Sequence, residues 1–300
     1  MKRWQADLTL AFVALIWGAT FVMVQNALDS VEPLTFVAIR FLLATVLLYI
    51  LFARRMQALN RHELWAGSLI GVWLTLGYAF QTIGLQHTTT AKAGFITGLS
   101  VVIVPLLATF LLRKPPARHA ITGIVAATIG LGFLSLDLKD GLRVESGDVW
   151  VLGCAFAFAL HIVTVARFSP HHDPVRLSVI QIQTVAILAF GGAMLFETPS
   201  LHLSMDAWSA IGFTGVIATA LAFGLQVYVQ RFTTPTHTAL LFSLEPVFAA
   251  FFGWWLAHEE IGPKEWVGCS LILIGMIIAE LGSDPEAAEE RLIIDTETIQ

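Results

Sequence analysis

Apolar positions in this chain neither alternate nor keep to one helical stripe. They gather in ten runs that start near Leu8, Leu34, Leu64, Ala93, Ala120, Val149, Leu177, Ala207, Thr238 and Trp266. Each run approaches the ~20 residues that carry a helix, at ~1.5 Å per residue, through the ~30 Å hydrocarbon core of a bilayer. Polar residues collect in the short connections between runs. Within lipid, every backbone N–H and C=O must find its partner inside the protein, so runs of this kind predict helices. The pattern thus predicts an all-α membrane protein of ten transmembrane helices. The first run follows Lys2 and Arg3, as in a signal peptide, but it outlasts the ~7–15-residue apolar core of one. No small-residue cleavage site ends it, so it reads as the first span.

The ten runs divide five and five. The longest external connection, Asp137 to Gly147, is polar and lies between them. Asp7 opens the first run and Asp148, 141 positions later, opens the sixth; Pro105 and Pro246 stand at the same shift in the fourth and ninth. Gly123 and Gly130 in the fifth run recur as Gly268 and Gly275 in the tenth, at a shift of 145. Five is odd, so the second half enters the membrane from the opposite side. The expectation is a 5+5 inverted-topology repeat, with residues 1–140 and 141–282 as the two halves and 283–300 as a short acidic cytoplasmic tail. Pro105 and Pro246 are expected to break their helices and free carbonyls near mid-membrane, either at a transport site or as packing kinks satisfied by neighbours. Small residues in Gly67-x3-Gly71 and Gly94-x3-Gly98 mark close helix contacts. The glycine faces of the fifth and tenth runs suit a scaffold or a dimer surface, so the protein is expected to be a monomer or a homodimer.

Charge supplies the orientation. With the N-terminus in the cytoplasm, twelve Lys and Arg fall on the inner side, among them Arg54, Arg55, Arg113, Lys114 and Arg231. Four fall outside (Lys92, Lys139, Arg143 and Lys264), and Arg40 lies within a span. That asymmetry fits the positive-inside rule and puts both termini in the cytoplasm of a multi-pass protein of the cell's inner (plasma) membrane. Trp4, Trp65, Trp150, Trp208 and Trp266 sit at span ends, where indole favours the interface. Only 13% of residues are charged, against roughly 25% in soluble domains, which excludes a large soluble core. The net charge of −5 belongs to the tail, so it says nothing about a solute. Cys154 and Cys269 lie inside apolar runs and read as small core residues. No basic patch points to nucleic acid.

Several short stretches carry a family resemblance: Trp17-Gly18-Ala19-Thr20-Phe21 in the first run, Arg40 in the second, Gly94-Phe95-Ile96-Thr97-Gly98 before Pro105, and Ser243-Leu244-Glu245-Pro246. Together with the ten runs, they make the chain similar to the EamA family of the drug/metabolite transporter superfamily over nearly its whole length. The first half has Val102-Ile103-Val104-Pro105 in place of Ser-x-x-Pro, and the second has Phe158-Ala159 in place of Trp-Gly. The resemblance implies a secondary transporter, most often an exporter of amino acids or other small metabolites, with a central cavity lined by helices of both halves.

Polar side chains at membrane depth face the bundle or a wet cavity. Glu245 is the one carboxylate deep in a run, either a protonatable coupling group or a structural acid that holds freed amides or Arg40. Arg40 is the one base at such depth, either a clamp for a solute carboxylate or a structural base paired within the protein. His161 is either a solute or proton ligand or a satisfied core histidine. His87 and His237 are expected at the interface. Trp17, Tyr78 and Phe95, with the amides of Gln81, Gln181 and Gln226, suit an amphiphilic solute held by flat contact and a few hydrogen bonds, and Tyr78 and Gln81 share a helix face. Alternatively the aromatic rings simply pack. No metal ligand set or cofactor motif is legible: His171 and His172 lack a third ligand, and there is no HExxH, GxSxG or P-loop.

The expected function is therefore secondary transport of a small organic metabolite by alternating access, best fitting export of a neutral or aromatic amino acid, with proton coupling through Glu245 as one reading. A flippase for a lipid-linked headgroup is the alternative, with only Arg40 and Lys92 to meet the headgroup. An intramembrane enzyme ranks behind it, because no nucleophile–base pair is visible.

Overall fold

Helix is what these runs form, and several of the helices begin where the sequence supplies a cap or a proline. The computed structural model describes residues 1, 3–88, 90–113, 115–135, 145–200, 202–256 and 262–281. The acidic tail at 283–300 and most of the connection that starts at Asp137 lie outside the described residues. In chain order the helices are α1 (Arg3–Ala27), α2 (Pro33–Met56), α3 (Arg61–Leu85), α4 (Thr90–Gly98), α5 (Ser100–Leu112), α6 (Arg118–Ser135), α7 (Ser146–Phe168) and α8 (Pro174–Phe196). Next comes α9 (Met205–Phe213), which runs through a π-helical stretch, Thr214–Leu221, into α10 (Ala222–Gln230). Then follow α11 (Pro235–Phe242), α12 (Glu245–Leu256) and α13 (Pro263–Leu281). No strand occurs among the described residues.

Starts are set by recognisable chemistry. Asn60 and Glu63 form a reciprocal capping box on α3: the Glu63 amide donates to Asn60 Oδ1 at 2.8 Å, and the Asn60 amide donates to Glu63 Oε2 at 3.2 Å. Pro33 and Pro174 occupy the first turns of α2 and α8, where a missing N–H costs nothing. The free amides at the start of α2 are met from a distance in sequence. Glu197, just past α8, accepts from the Leu34 amide at 2.7 Å and the Thr35 amide at 2.8 Å.

Seven segments are long and apolar enough to cross a membrane: Trp4–Ala27, Pro33–Met56, Arg61–Leu85, Ala93–Leu112, Ser146–His171, Pro174–Phe196 and Met205–Gln230. The α6 helix is a shorter apolar one. The ninth run is divided at Ser243–Leu244 into α11 and α12. Large apolar side chains face outward along these helices, among them Leu42, Val46 and Ile50 on α2, Phe110 on α5, and Leu195 and Phe196 on α8. Surface of that kind would collapse in water and is at home in lipid, so this is an integral membrane protein. All five tryptophans expected at span ends are exposed there.

Helix contacts run largely between the first and second parts of the chain: α6 on α13, α3 on α7 and α8, α2 on α8, α1 on α12, and α5 on α7. The glycine faces of α6 and α13 meet each other, and they do so reciprocally. A Cβ on Gly130 would meet the Gly268 carbonyl oxygen at 2.6 Å and the Ile272 nitrogen at 2.9 Å; one on Gly275 would meet the Gly123 carbonyl oxygen at 2.6 Å and the Ala127 nitrogen at 3.0 Å. Positions 123, 127 and 130 become 268, 272 and 275 on adding 145, so each helix offers the other the same three positions.

The two prolines differ from expectation in where the helices break. In the fourth run the interruption is at Leu99, between α4 and α5, and Pro105 lies buried inside α5, which continues past it. Its missing N–H leaves the Val101 carbonyl without its usual partner but does not end the helix. In the ninth run the break precedes Glu245, and Pro246 sits in the first turn of α12, where proline is tolerated.

Candidate functional site

The α1 and α12 helices touch backbone to backbone because Gly18 has no side chain. A Cβ there would lie 2.6 Å from the Glu245 carbonyl oxygen and 2.9 Å from the Ala249 nitrogen. That approach brings Trp17 and Glu245 to one wall of a cavity of about 420 Å3. Its lining comes from helices on both sides of the 137–147 connection and includes Trp17, Arg40, Tyr78, Gln81, Phe158, His161, Phe223, Gln226, Phe242 and Glu245. Val24, Gln25, Leu85, Gly94 and Glu265, all near helix ends, line it toward one face of the bundle.

The opposite end is packed shut. Ala6, Leu10, Val229 and Leu241 form a buried apolar cluster there. Next to it, His237 Nε2 and Asp7 Oδ1 lie 3.0 Å apart. The Arg176 guanidinium donates to both Glu63 oxygens at 2.9 Å, and Arg55 stands 3.7 Å from Asp173. Each of these three pairs ties a residue before the 137–147 connection to one after it. His237, expected at the interface, is in fact buried, while His87 is exposed.

Inside the cavity Arg40 is buried and well partnered. Its Nε donates to Thr219 Oγ1 at 2.7 Å and Nη2 to the Tyr78 hydroxyl at 3.4 Å. Its guanidinium carbon lies 4.9 Å from the Tyr78 ring centre and 5.5 Å from that of Phe41. Glu245 differs: among the described residues its carboxylate has no hydrogen bond and no ion pair, and Arg40 acts on it through space without contact. The sequence-level option of a direct Arg40–Glu245 pair is therefore not what the structure holds.

The aromatic residues form a continuous wall. The Trp17 ring centre lies 5.1 Å from Phe223 and 4.9 Å from Phe242. Tyr78 stands edge-on to Phe41, Phe158 and Phe223. The Trp17 indole N–H is spent on the Ala218 carbonyl at 2.9 Å. Both Ala218 and Thr219 belong to the π-helical stretch, where the Ala222 amide reaches back to Ile217. That register shift turns Thr219 toward Arg40 and presents a carbonyl to Trp17, a local irregularity of the kind found at functional sites.

Of the other sequence-level candidates, Gln81 and Gln226 line the cavity. Gln81 reaches Thr97 Oγ1 at 3.4 Å, and Gln226 donates to Gln230 Oε1 at 3.3 Å while its own Oε1 has no partner. His161 also lines it, with Nε2 2.9 Å from Gln181 Oε1. Gln181 stands behind His161, fully buried and outside the lining. Phe95 likewise lies outside it and packs against the cluster of Ala14, Val101 and Leu131. The Lys92 side chain lies outside the described residues.

Phe223, Phe242 and Thr219 complete the site without having been legible as candidates. The chain holds 21 Phe, most of them in apolar runs, so one more phenylalanine carries no signal, and the π-helical register that aims Thr219 inward has no sequence marker. Phe158, by contrast, already stood out at the position where the second half has no Trp-Gly pair.

A helical integral membrane protein with a solute-sized cavity at its centre is a class that comparison with known proteins narrows. The family model of the EamA-like transporter family matches twice, over residues 4–136 and 145–280. The chain belongs to the EamA-like transporter family, as the resemblance implied. It is 34% identical to an "uncharacterized transporter" of Archaeoglobus fulgidus, over 94% of this chain and 87% of that protein. It is 24% identical to YoaV of Bacillus subtilis (89% of this chain, 93% of that one) and 24% identical to the inner membrane transporter YedA of Escherichia coli (89% and 88%). A solved crystal structure shares the fold with a TM-score of 0.78 at 18% identity, covering 92% of this chain and 96% of that one.

Proposed function

We propose that this protein is a secondary transporter that moves a small organic metabolite through the central cavity by alternating access of two inverted five-helix halves, 1–140 and 141–282. All ten apolar stretches cross the inner (plasma) membrane, and both termini are cytoplasmic. The observation that carries this reading is the cavity itself, lined from both halves, open toward one face and closed at the other by Asp7–His237, Glu63–Arg176 and a plug around Leu10 and Leu241. The reciprocal contacts of Gly130 and Gly275, and a family model that matches once in each half, support the inverted repeat. The positive-inside count supports an open face outside the cell. Aromatic walls with a few orienting polar groups suit a neutral or aromatic amino acid, and export is the favoured direction. Glu245 is the proton-coupling group.

A proton-gradient-driven flux screen in proteoliposomes, run across amino acids and nucleobases, tests the proposal. Flux of at least one solute that collapses with the gradient is expected. Folded protein that moves nothing in the panel would count against it.

A further inference from the structure

We infer that the group this cavity recognises on its solute is a protonated amine, with Glu245 as the counter-ion and the aromatic wall holding an apolar or aromatic body. The inference rests on the transporter reading and deepens it, because it says which end of the solute is read.

Among the described residues three charged side chains line the cavity: Arg40, Glu245 and Glu265. They are not equivalent. Arg40 is committed to Thr219 and Tyr78 and stacked near two rings, so little of its capacity is left for an incoming carboxylate. Glu245 lines the same space with its carboxylate unbonded. Burying an ion unpaired is costly, and a carboxylate waiting at a cavity wall is best satisfied by a cation that arrives with the solute. The surrounding rings reinforce the sign. Trp17, Tyr78, Phe158, Phe223 and Phe242 present π-faces and edges to the cavity, and the negative π-face attracts a cation. Glu265, near the mouth, is a second acid in the lining. A solute bearing only a carboxylate would meet two acids, an aromatic wall and a guanidinium already occupied. One bearing an ammonium would meet a free partner.

Equilibrium binding to the purified protein in lipid nanodiscs separates the two ends of the solute. Three ligands share one phenyl body: phenethylamine, phenylalanine and 3-phenylpropionate. At neutral pH phenethylammonium and phenylalanine should bind, and 3-phenylpropionate should bind at least tenfold more weakly. The substitution Glu245→Gln should weaken phenethylammonium binding tenfold or more, and Glu245→Asp should restore part of it. The inference is overturned if phenethylammonium does not bind, if 3-phenylpropionate binds as well, or if Glu245→Gln leaves amine binding unchanged. The ligand series on the unaltered protein decides the matter even where a variant fails to fold. Failure here with flux of some other solute in the screen would remove the amine and leave the transporter standing; absence of all flux would remove the transporter.

Discussion

In the proposed transporter, Trp17 serves packing and recognition together. Its N–H is fixed on the Ala218 carbonyl and its ring leans on Phe223 and Phe242, so the indole is held in one orientation before any solute arrives. Removing it deletes aromatic contacts worth ~0.5–1.5 kcal/mol each beyond burial. Trp17→Ala should therefore weaken solute affinity by roughly tenfold while the protein still accumulates in membranes; a variant that loses only expression would show that the indole merely packs. Glu245 makes a second prediction at this scale. A glutamine cannot change charge, so the residual flux of Glu245→Gln should be flat across pH where that of the unaltered protein varies. Pulsed flux at stepped external pH reads the difference, and unchanged pH dependence would remove Glu245 from coupling. Both residues were legible as sequence, Glu245 because a carboxylate at membrane depth is rare and Trp17 because it opens the Trp17-Gly18-Ala19-Thr20-Phe21 stretch. Their partners were not: Arg40 reaches Thr219 and Tyr78 instead of Glu245, and depth along a run does not reveal which face a side chain occupies. Gln181 and Phe95 stand at a suitable depth yet sit behind the cavity wall for the same reason.

At the scale of elements, glycine decides how close helices come. Gly18 brings α1 onto the first turn of α12, and the added methyl of Gly18→Ala would press on backbone, which cannot rotate away. Overpacking of that kind costs ~1–3 kcal/mol and would push Trp17 and Glu245 apart. Gly18→Ala should lower thermal stability in detergent and cut solute affinity together, measured by a melting curve with and without ligand; full stability and affinity would show that the contact is slack. The same logic holds for Gly130 and Gly275, whose equivalence was readable as a 145-residue shift before any contact was known. Helix identity was legible throughout because a backbone in lipid must satisfy itself within each apolar run; Asn60, Pro33 and Pro174 mark where three of the helices start. Helix breaks were less so. A proline marks a lost hydrogen bond, not the place where the chain bends, which is why α4 ends at Gly98 while α5 runs through Pro105. The π-helical stretch at Thr214–Leu221 left no trace in the apolar pattern because one extra residue per turn alters facing without altering composition.

Across the whole molecule the two ends of the bundle differ in kind. One is open to the cavity through Val24, Gln25 and Glu265; the other is shut by apolar packing around Leu241 and by polar pairs that tie residues before the 137–147 connection to residues after it. In the proposed mechanism that closed end parts while the open end closes, and two halves related by inversion would supply two such states from one packing scheme. The measurement that reaches this claim most directly is cysteine accessibility from the two sides of the membrane. In a background with Cys154 and Cys269 replaced, Val24→Cys reports the open end and Leu241→Cys the closed end, each probed with a membrane-impermeant maleimide from its own side. The account predicts reciprocal behaviour during turnover: labelling at Leu241→Cys rises under a solute gradient as labelling at Val24→Cys falls. Labelling of both positions together regardless of solute, or a Leu241→Cys that stays protected throughout active flux, would contradict it.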